Sequence, residues 1–381
     1  MGRRRLHIVV IPVVVNPGTL RVGGLGYQLV RRGHRITVLG WNQHGDGIKV
    51  VRPSWGNYTA YLLPGLNLSL PGVVDRFPLL PSLAQLLKEI DFDVLNLHKH
   101  GNPSTLPPAL LARRMGKPLV LTLHGLECSV NPLVDTAYWA YMYAFESLVL
   151  RTASRVVVLN KRDVRLAMRL GCEPGKIRLI PNGVNTEVFR PIRDGDPLLV
   201  VWHGRMVLGK GLEDLLMAIY LLRRRRGIPV KLLLVGDGPL RPRLEALARR
   251  LGIEGAVEML GWRSSEQLPE LICRGAIYAY PSRVEGMPWA VLEAMSCGRA
   301  IVASDIPGIR DVVGHGREGL LVEPGDVHGL AEAMARLIED GELRAELSRA
   351  ARAKAVEEHD WSIIADKVER VYFEAVEEAS S

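Results

Sequence analysis

The chain has 381 residues, enough for two ordinary domains, and its 48% hydrophobic and 24% charged residues exclude a disordered or fibrous protein. No apolar run reaches the roughly 18 residues that span a bilayer, and the run LHIVVIPVVV is too short and too β-branched for a signal peptide. The net charge of +8 is uneven, because residues 1 to 60 hold nine Lys or Arg against one acid, Asp46, and the remainder balances. Such a segment either solvates the surface or meets an anionic partner. The four cysteines, Cys128, Cys172, Cys273 and Cys297, lack metal-ligand spacing and fit a reduced, cytoplasmic interior.

Taken in order, Leu6 to Val15 reads as a buried parallel strand. Asn16 to Thr19 reads as a turn, and a helix is expected from about Thr19 to Arg32, closed by Gly33. Ile36 to Leu39 is the next strand. Tyr61 to Pro81 is apolar but broken by four prolines and two glycines, so one regular helix is excluded. It is either a packed irregular connection or an exposed apolar loop for a lipid. The strands Val94–Leu97 and Leu119–Leu123 end in His98-Lys99-His100-Gly101 and His124-Gly125, at the strand ends where open α/β sheets bind ligands. Ala140 to Leu150 reads as an amphipathic helix whose Tyr141 and Phe145 are expected in the core. Arg155–Leu159 is a strand, Arg162–Leu170 a helix, and Pro191 to Pro197 the expected domain boundary.

The second half opens with a strand, Leu198–Trp202, and the loop His203-Gly204-Arg205-Met206-Val207-Leu208-Gly209-Lys210-Gly211. A strand, a glycine-bearing loop and a helix form a phosphate-binding arrangement; Arg205 offers a forked donor and Lys210 a point charge at its mouth. Lys231–Val235 and Val257–Leu260 are strands followed by Gly236-Asp237-Gly238 and Gly261-Trp262. Tyr280 to Ala303, YPSRVEGMPWAVLEAMSCGRAIVA, reads as strand end, loop, helix and next strand. Glu285 and Glu293 bracket its loop and helix start with seven residues between them. Gly286 admits a close backbone approach, the helix start offers N–H groups, and two carboxylates can accept from hydroxyls. Glu293 sits among residues that want burial, where a charge needs a partner.

VEGMPWAVLEAM followed by SCGRAIVASD resembles the Glu-x7-Glu motif of retaining glycosyltransferases of family four, the glycogen-synthase-like group with the GT-B fold. The Gly-Arg…Lys-Gly loop at 204–211 is similar to the family's diphosphate motif, with Gly209 where an acid often precedes the lysine. LTLHG resembles the strand end whose histidine, here His124, reaches the transferred sugar. The likeness covers nearly the whole chain, most strongly Ile177 to Glu323.

The resemblance implies an α/β chain of two doubly wound Rossmann-like domains facing a cleft. Residues 1–190 form the acceptor-side domain, 191–360 bind a nucleotide-diphosphate sugar, and the helix in 361–381 crosses back to pack Trp361, Tyr372 and Phe373 on the first. It implies metal-independent hexosyl transfer with retention and no cofactor. His124, Arg205, Lys210 and Glu285 are the expected catalytic residues. Gly18, Gly204, Gly236, Trp262, Gly286, Met287, Trp289 and Glu293 are expected to join them in holding the donor, Glu293 on the ribose and Glu285 on the sugar. Gly23-Gly24 is similar to the family's first-loop glycine pair, but it leaves little room for a helix before Gly33, which favours Gly18 as the phosphate-facing residue. No metal or nucleic-acid partner is expected; a lipid-linked acceptor and docking on an anionic membrane face are. A nucleotide-sugar epimerase of the same fold and a non-catalytic sugar-nucleotide-binding subunit are the competing readings.

Overall fold

The computed structural model describes residues 4–12, 24–42, 47–67, 78–99, 106–125, 139–140 and 142–380. Gly18, Gly23, Arg3, His100, Gly101, Cys128, Tyr141 and residues 68–77 of the apolar stretch lie outside them. The chain divides into two compact units, Met1–Pro181 with Trp361–Ser381, and Asn182–Asp360. The first therefore ends at Pro181, before the expected boundary at 190. The residues just beyond Pro181 belong to the second unit: the Asn182 side chain donates to the Met287 carbonyl, and the Val184 N–H to the His359 carbonyl.

The described strands of the first unit are β1 (His7–Ile11), β2 (Arg35–Trp41), β3 (Lys49–Val51), β4 (Tyr58–Leu63), β5 (Leu66–Asn67), β6 (Pro78–Leu79), β7 (Val94–Lys99), β8 (Leu119–Leu123), β9 (Arg155–Val158) and β10 (Ile177–Leu179). Eight of them make one sheet in the order β10-β9-β8-β7-β1-β2-β4-β3, parallel except where β3 runs against β4. Every residue of β8, LVLTL, is buried, as a strand covered on both faces requires. Alternate residues feed two cores. Val9, Leu95, Leu121 and Val156 face the helices Leu83–Glu89 and Leu106–Arg114. Ile8, Val94, Val120 and Val157 face Leu29 and the C-terminal helix Trp361–Ser380 through Ile364, Val368 and Tyr372. Trp361 and Phe373 are partly buried against the same core.

Three expectations change here. The first helix runs Leu25–Arg31 with Gly24 as its N-cap, seven residues rather than fourteen or so. A helix that short fits between Gly24 and Gly33, so lack of room no longer argues against the Gly23-Gly24 pair. Tyr61 to Leu63 belong to β4 and pair with β2, while β5 and β6 form a small antiparallel ribbon, so the ends of the apolar stretch are extended strand. Finally, Met142–Glu146 is a π-helical turn followed by the α-helix Ser147–Thr152. The wider turn shifts the inward face to Met142, Glu146, Val149 and Leu150 and leaves Phe145, expected in the core, 47% exposed.

The second unit carries β11 (Asp196–His203), β12 (Lys231–Val235), β13 (Val257–Gly261), β14 (Gly275–Tyr280), β15 (Ala300–Ser304) and β16 (Gly319–Val322). The sheet is wholly parallel in the order β13-β12-β11-β14-β15-β16. This is the doubly wound arrangement in which the order of strands reverses between the first strand, β11, and the fourth, β14. The helix Leu212–Arg225 follows β11, with Glu213 and Asp214 in its first turn and Arg223, Arg224 and Arg225 in its last, each set matching the helix dipole.

Candidate active site

The loops leaving β11 and β14 meet at the reversal point of the second sheet. They are stitched together through Gly209, whose carbonyl accepts from the Arg283 N–H at 2.7 Å. Gly211 makes the approach possible: at φ +67°, its missing Cβ would stand 2.0 Å from the Pro281 carbonyl oxygen. Lys210 is thereby carried onto Glu285. Its Nζ lies 2.5 Å from Glu285 Oε1, with the two side chains 22% and 12% exposed. The same carboxylate oxygen also receives Ser282 Oγ at 2.6 Å and the Tyr280 hydroxyl at 3.0 Å. Burial first, and then Glu285, push the Tyr280 phenol well above its ordinary range, so it stays a proton donor.

Beyond Glu285 the chain passes Gly286, Met287 and Pro288 into the helix Trp289–Ser296. Pro288 lacks an N–H, so the backbone donors here are those of 286, 287 and 289. Asn182 anchors the loop by donating from its side chain to the Met287 carbonyl at 2.9 Å. Gly308 lies under the loop, where a Cβ would fall 2.2 Å from the Gly286 carbonyl oxygen and 2.4 Å from that of Glu285. Glu293, on the inner side of the helix, lies with Oε2 2.7 Å from His203 Nε2. Gly204 and Gly236 are neighbours at the ends of β11 and β12, the Gly204 N–H donating to Val235 and the Gly236 N–H to Gly261. Trp262, just past β13, is 70% exposed. Arg205 and Trp289 are also exposed.

The sheet reversal thus gathers Gly204, Arg205, Lys210, Glu285, Gly286, Met287, Trp289 and Glu293 at the ends of two adjacent strands. His124 lies in the first unit at the end of β8. Its Nε2 is 2.7 Å from His98 Nδ1, and the two rings stack at 4.9 Å. Behind His98, Asn96 Nδ2 lies 3.2 Å from His98 Nε2 and 2.6 Å from the Tyr372 hydroxyl of the C-terminal helix.

Residues 21–188 match the family model described as Glycosyltransferase Family 4, and residues 185–354 match that for Glycosyl transferases group 1. The chain is 32% identical over 310 residues to the D-inositol 3-phosphate glycosyltransferase of Acidothermus cellulolyticus, covering 75% of this chain and 68% of that protein.

The chain is a family four glycosyltransferase. It is also 28% identical over 336 residues to the UDP-Gal:alpha-D-GlcNAc-diphosphoundecaprenol alpha-1,3-galactosyltransferase of Escherichia coli, covering 83% of this chain and 84% of that protein. Among solved structures it superposes on a sucrose-phosphate synthase from Thermosynechococcus elongatus with a TM-score of 0.80 at 22% identity, covering 100% of each chain. With two parallel-sheet α/β units, the glycosyltransferase has the GT-B fold.

Several residues that shape the transferase's site escaped the reading of the sequence. Ser282 and Tyr280 flank Glu285 closely enough that the run YPSRVE could have suggested them. His203 and Asn182 gave no local signal, because each reaches its partner across a sequence separation of 90 and 105 residues. His98 stood in view at a strand end, but its pairing with His124 depends on the parallel register of β7 and β8, which sets His98 opposite Thr122.

Proposed function

We propose that this glycosyltransferase is a retaining, metal-independent hexosyltransferase that takes a sugar from a nucleotide-diphosphate sugar and delivers it to a lipid-linked acceptor. The Lys210–Glu285 contact carries the reading: a cation suited to a diphosphate and an acid suited to sugar hydroxyls occupy one spot at the sheet reversal. There the bond between anomeric carbon and phosphate oxygen breaks, and Arg205 and Lys210 offset the charge that gathers on the leaving diphosphate. The acceptor hydroxyl oxygen bonds the anomeric carbon on the same face and gives its proton to the departing diphosphate oxygen. Glu285, engaged by three donors on one oxygen, suits hydrogen bonding to sugar hydroxyls better than attack as a nucleophile. Glu293 accepts from the ribose, and the backbone N–H groups of 286, 287 and 289 serve phosphate oxygens. Gly236 and Trp262 are assigned to the base, and His124 to the transferred sugar on the likeness of LTLHG.

A lipid acceptor is supported by the basic first segment, by Leu66 at the start of the apolar stretch being 65% exposed, and by the lipid-diphosphate acceptor named for the E. coli relative. Among the described residues no helix is long and apolar enough to cross a membrane, so the proposed contact is peripheral. The relatives reported above do not favour an epimerase or a non-catalytic subunit.

The test is incubation with labelled UDP-glucose and UDP-galactose plus bacterial lipid extract, with and without EDTA. The expected result is EDTA-insensitive label in the lipid fraction, with the product anomer matching the donor by NMR. An inverted anomer, loss of activity in EDTA, or label confined to water-soluble products would each overturn the corresponding part of the proposal.

A further inference from the structure

We infer that His203 is a positioning residue for nucleoside recognition, aiming the Glu293 carboxylate at the ribose hydroxyls through a buried Tyr278–His203–Glu293 chain. The inference rests on the reading of Glu293 as the ribose acceptor.

Glu293 lies on a helix whose neighbouring Leu292, Ala294 and Met295 are fully buried. A carboxylate in such surroundings needs a hydrogen-bonding partner, since a buried charge left unpaired is costly. That partner is the last residue of β11. His203 Nε2 stands 2.7 Å from Glu293 Oε2, with the side chains 7% and 14% exposed. The other ring nitrogen is held as well, Nδ1 lying 3.0 Å from the Tyr278 hydroxyl on the adjacent strand β14. The backbone N–H of His203 donates to the same phenol oxygen at 3.3 Å. Tyr278 is fully buried, and burial raises its phenol well above the ordinary range, so it remains a donor. The Tyr278 O–H reaches two acceptors of His203, Nδ1 at 3.0 Å and the backbone carbonyl at 3.4 Å; directed to the nearer, it leaves Nε2 to donate to Glu293.

Held at both nitrogens, the ring cannot turn without breaking a buried hydrogen bond. The carboxylate it grips is therefore held in plane through Oε2. Two vicinal hydroxyls demand such a fixed acceptor, and a carboxylate left to rotate gives up part of their binding energy to ordering. Gly204 follows His203 directly, so one strand end places both the group that aims Glu293 and the loop carrying Arg205 and Lys210.

The experiment compares a nucleoside diphosphate with its 2′,3′-dideoxy analogue by calorimetry, using whichever of UDP, GDP or ADP most raises the wild-type melting temperature. Wild type is expected to prefer the ribose form. Glu293→Ala should abolish the preference. His203→Ala should lower it by about ten-fold, the value of one hydrogen bond to a charged group. His203→Gln, which keeps an N–H near Glu293, should recover part of it. The preference is a ratio within one variant, so a general loss of folded protein weakens both ligands alike and leaves it unmoved. If His203→Ala keeps the wild-type preference while Glu293→Ala loses it, the ribose reading stands and His203 is structural only. If Glu293→Ala keeps the preference, or none of the three diphosphates binds, the ribose reading falls and this inference with it.

Discussion

Lys210 and Glu285, 75 residues apart in the chain, share a contact of 2.5 Å between Nζ and Oε1. Two residues expected to serve opposite ends of the breaking bond are thus a pair. On the proposed roles, a diphosphate engaging Lys210 would draw on the ammonium group that Glu285 shares, and donor entry is expected to be coupled to the release of Glu285 for sugar hydroxyls.

Arg205→Ala and Lys210→Ala are each expected to cut turnover by about 100-fold, because each removes stabilisation of the leaving diphosphate. Coupling implies that Lys210→Ala combined with Glu285→Ala loses less than the product of the single losses. Steady-state kinetics on the purified variants checks both. Near-native turnover in the single variants would remove the pair from the site, and strict multiplicativity would dissolve the coupling.

The two glutamates should separate kinetically. Glu293→Ala is expected to raise KM and weaken nucleotide binding, since ribose contacts persist from ground state to transition state. Glu285→Ala is expected to act mainly on kcat. The opposite split, measured with one donor and one acceptor, would exchange their roles.

Acid sensitivity of the first unit should run through Glu374. Burial alone would raise this carboxyl, but hydrogen bonds from Arg178 and Arg155 hold it below its ordinary value. A carboxylate depressed on folding adds stability above its unfolded pKa and loses it as pH falls through the folded value. Melting temperature is therefore expected to drop on acidification through the carboxylate range. Glu374→Gln should lower the neutral-pH value and flatten that part of the profile. An unchanged slope in the variant would assign the acid loss to other groups.

Membrane docking should be electrostatic. Basic residues near an anionic surface contribute about 1 kcal/mol each and are screened by salt. Co-sedimentation is expected with phosphatidylserine-containing vesicles, decreasing as salt rises and when Arg3, Arg4 and Arg5 become Ser. Equal binding to neutral vesicles, or none to either, would end the docking idea and leave the transferase intact.

Much of the architecture was legible from residue pattern. Lys231–Val235 and Leu119–Leu123 are legible to the residue, because a run of buried apolar residues bounded by turns leaves a parallel strand few alternatives. The short helix after Gly24 and the π turn at Met142–Glu146 were not legible, since both depart from ideal periodicity for the sake of packing. The positions of Arg205, Lys210, Glu285 and Glu293 could be singled out because their chemistry sits on local elements: a glycine-bearing loop and one loop-helix segment.

What each of them touches was a tertiary decision. Residue pattern alone specifies two wound α/β units and the residue types offered at their strand ends. Only folding set β11 beside β14, and with that adjacency came Lys210 on Glu285 and Tyr278 behind His203. Strand order depends on how helices cover both faces of the sheet, a many-body packing problem with no signature in any short window. The imidazole that holds Glu293 therefore became visible only when strands distant in sequence lay next to one another.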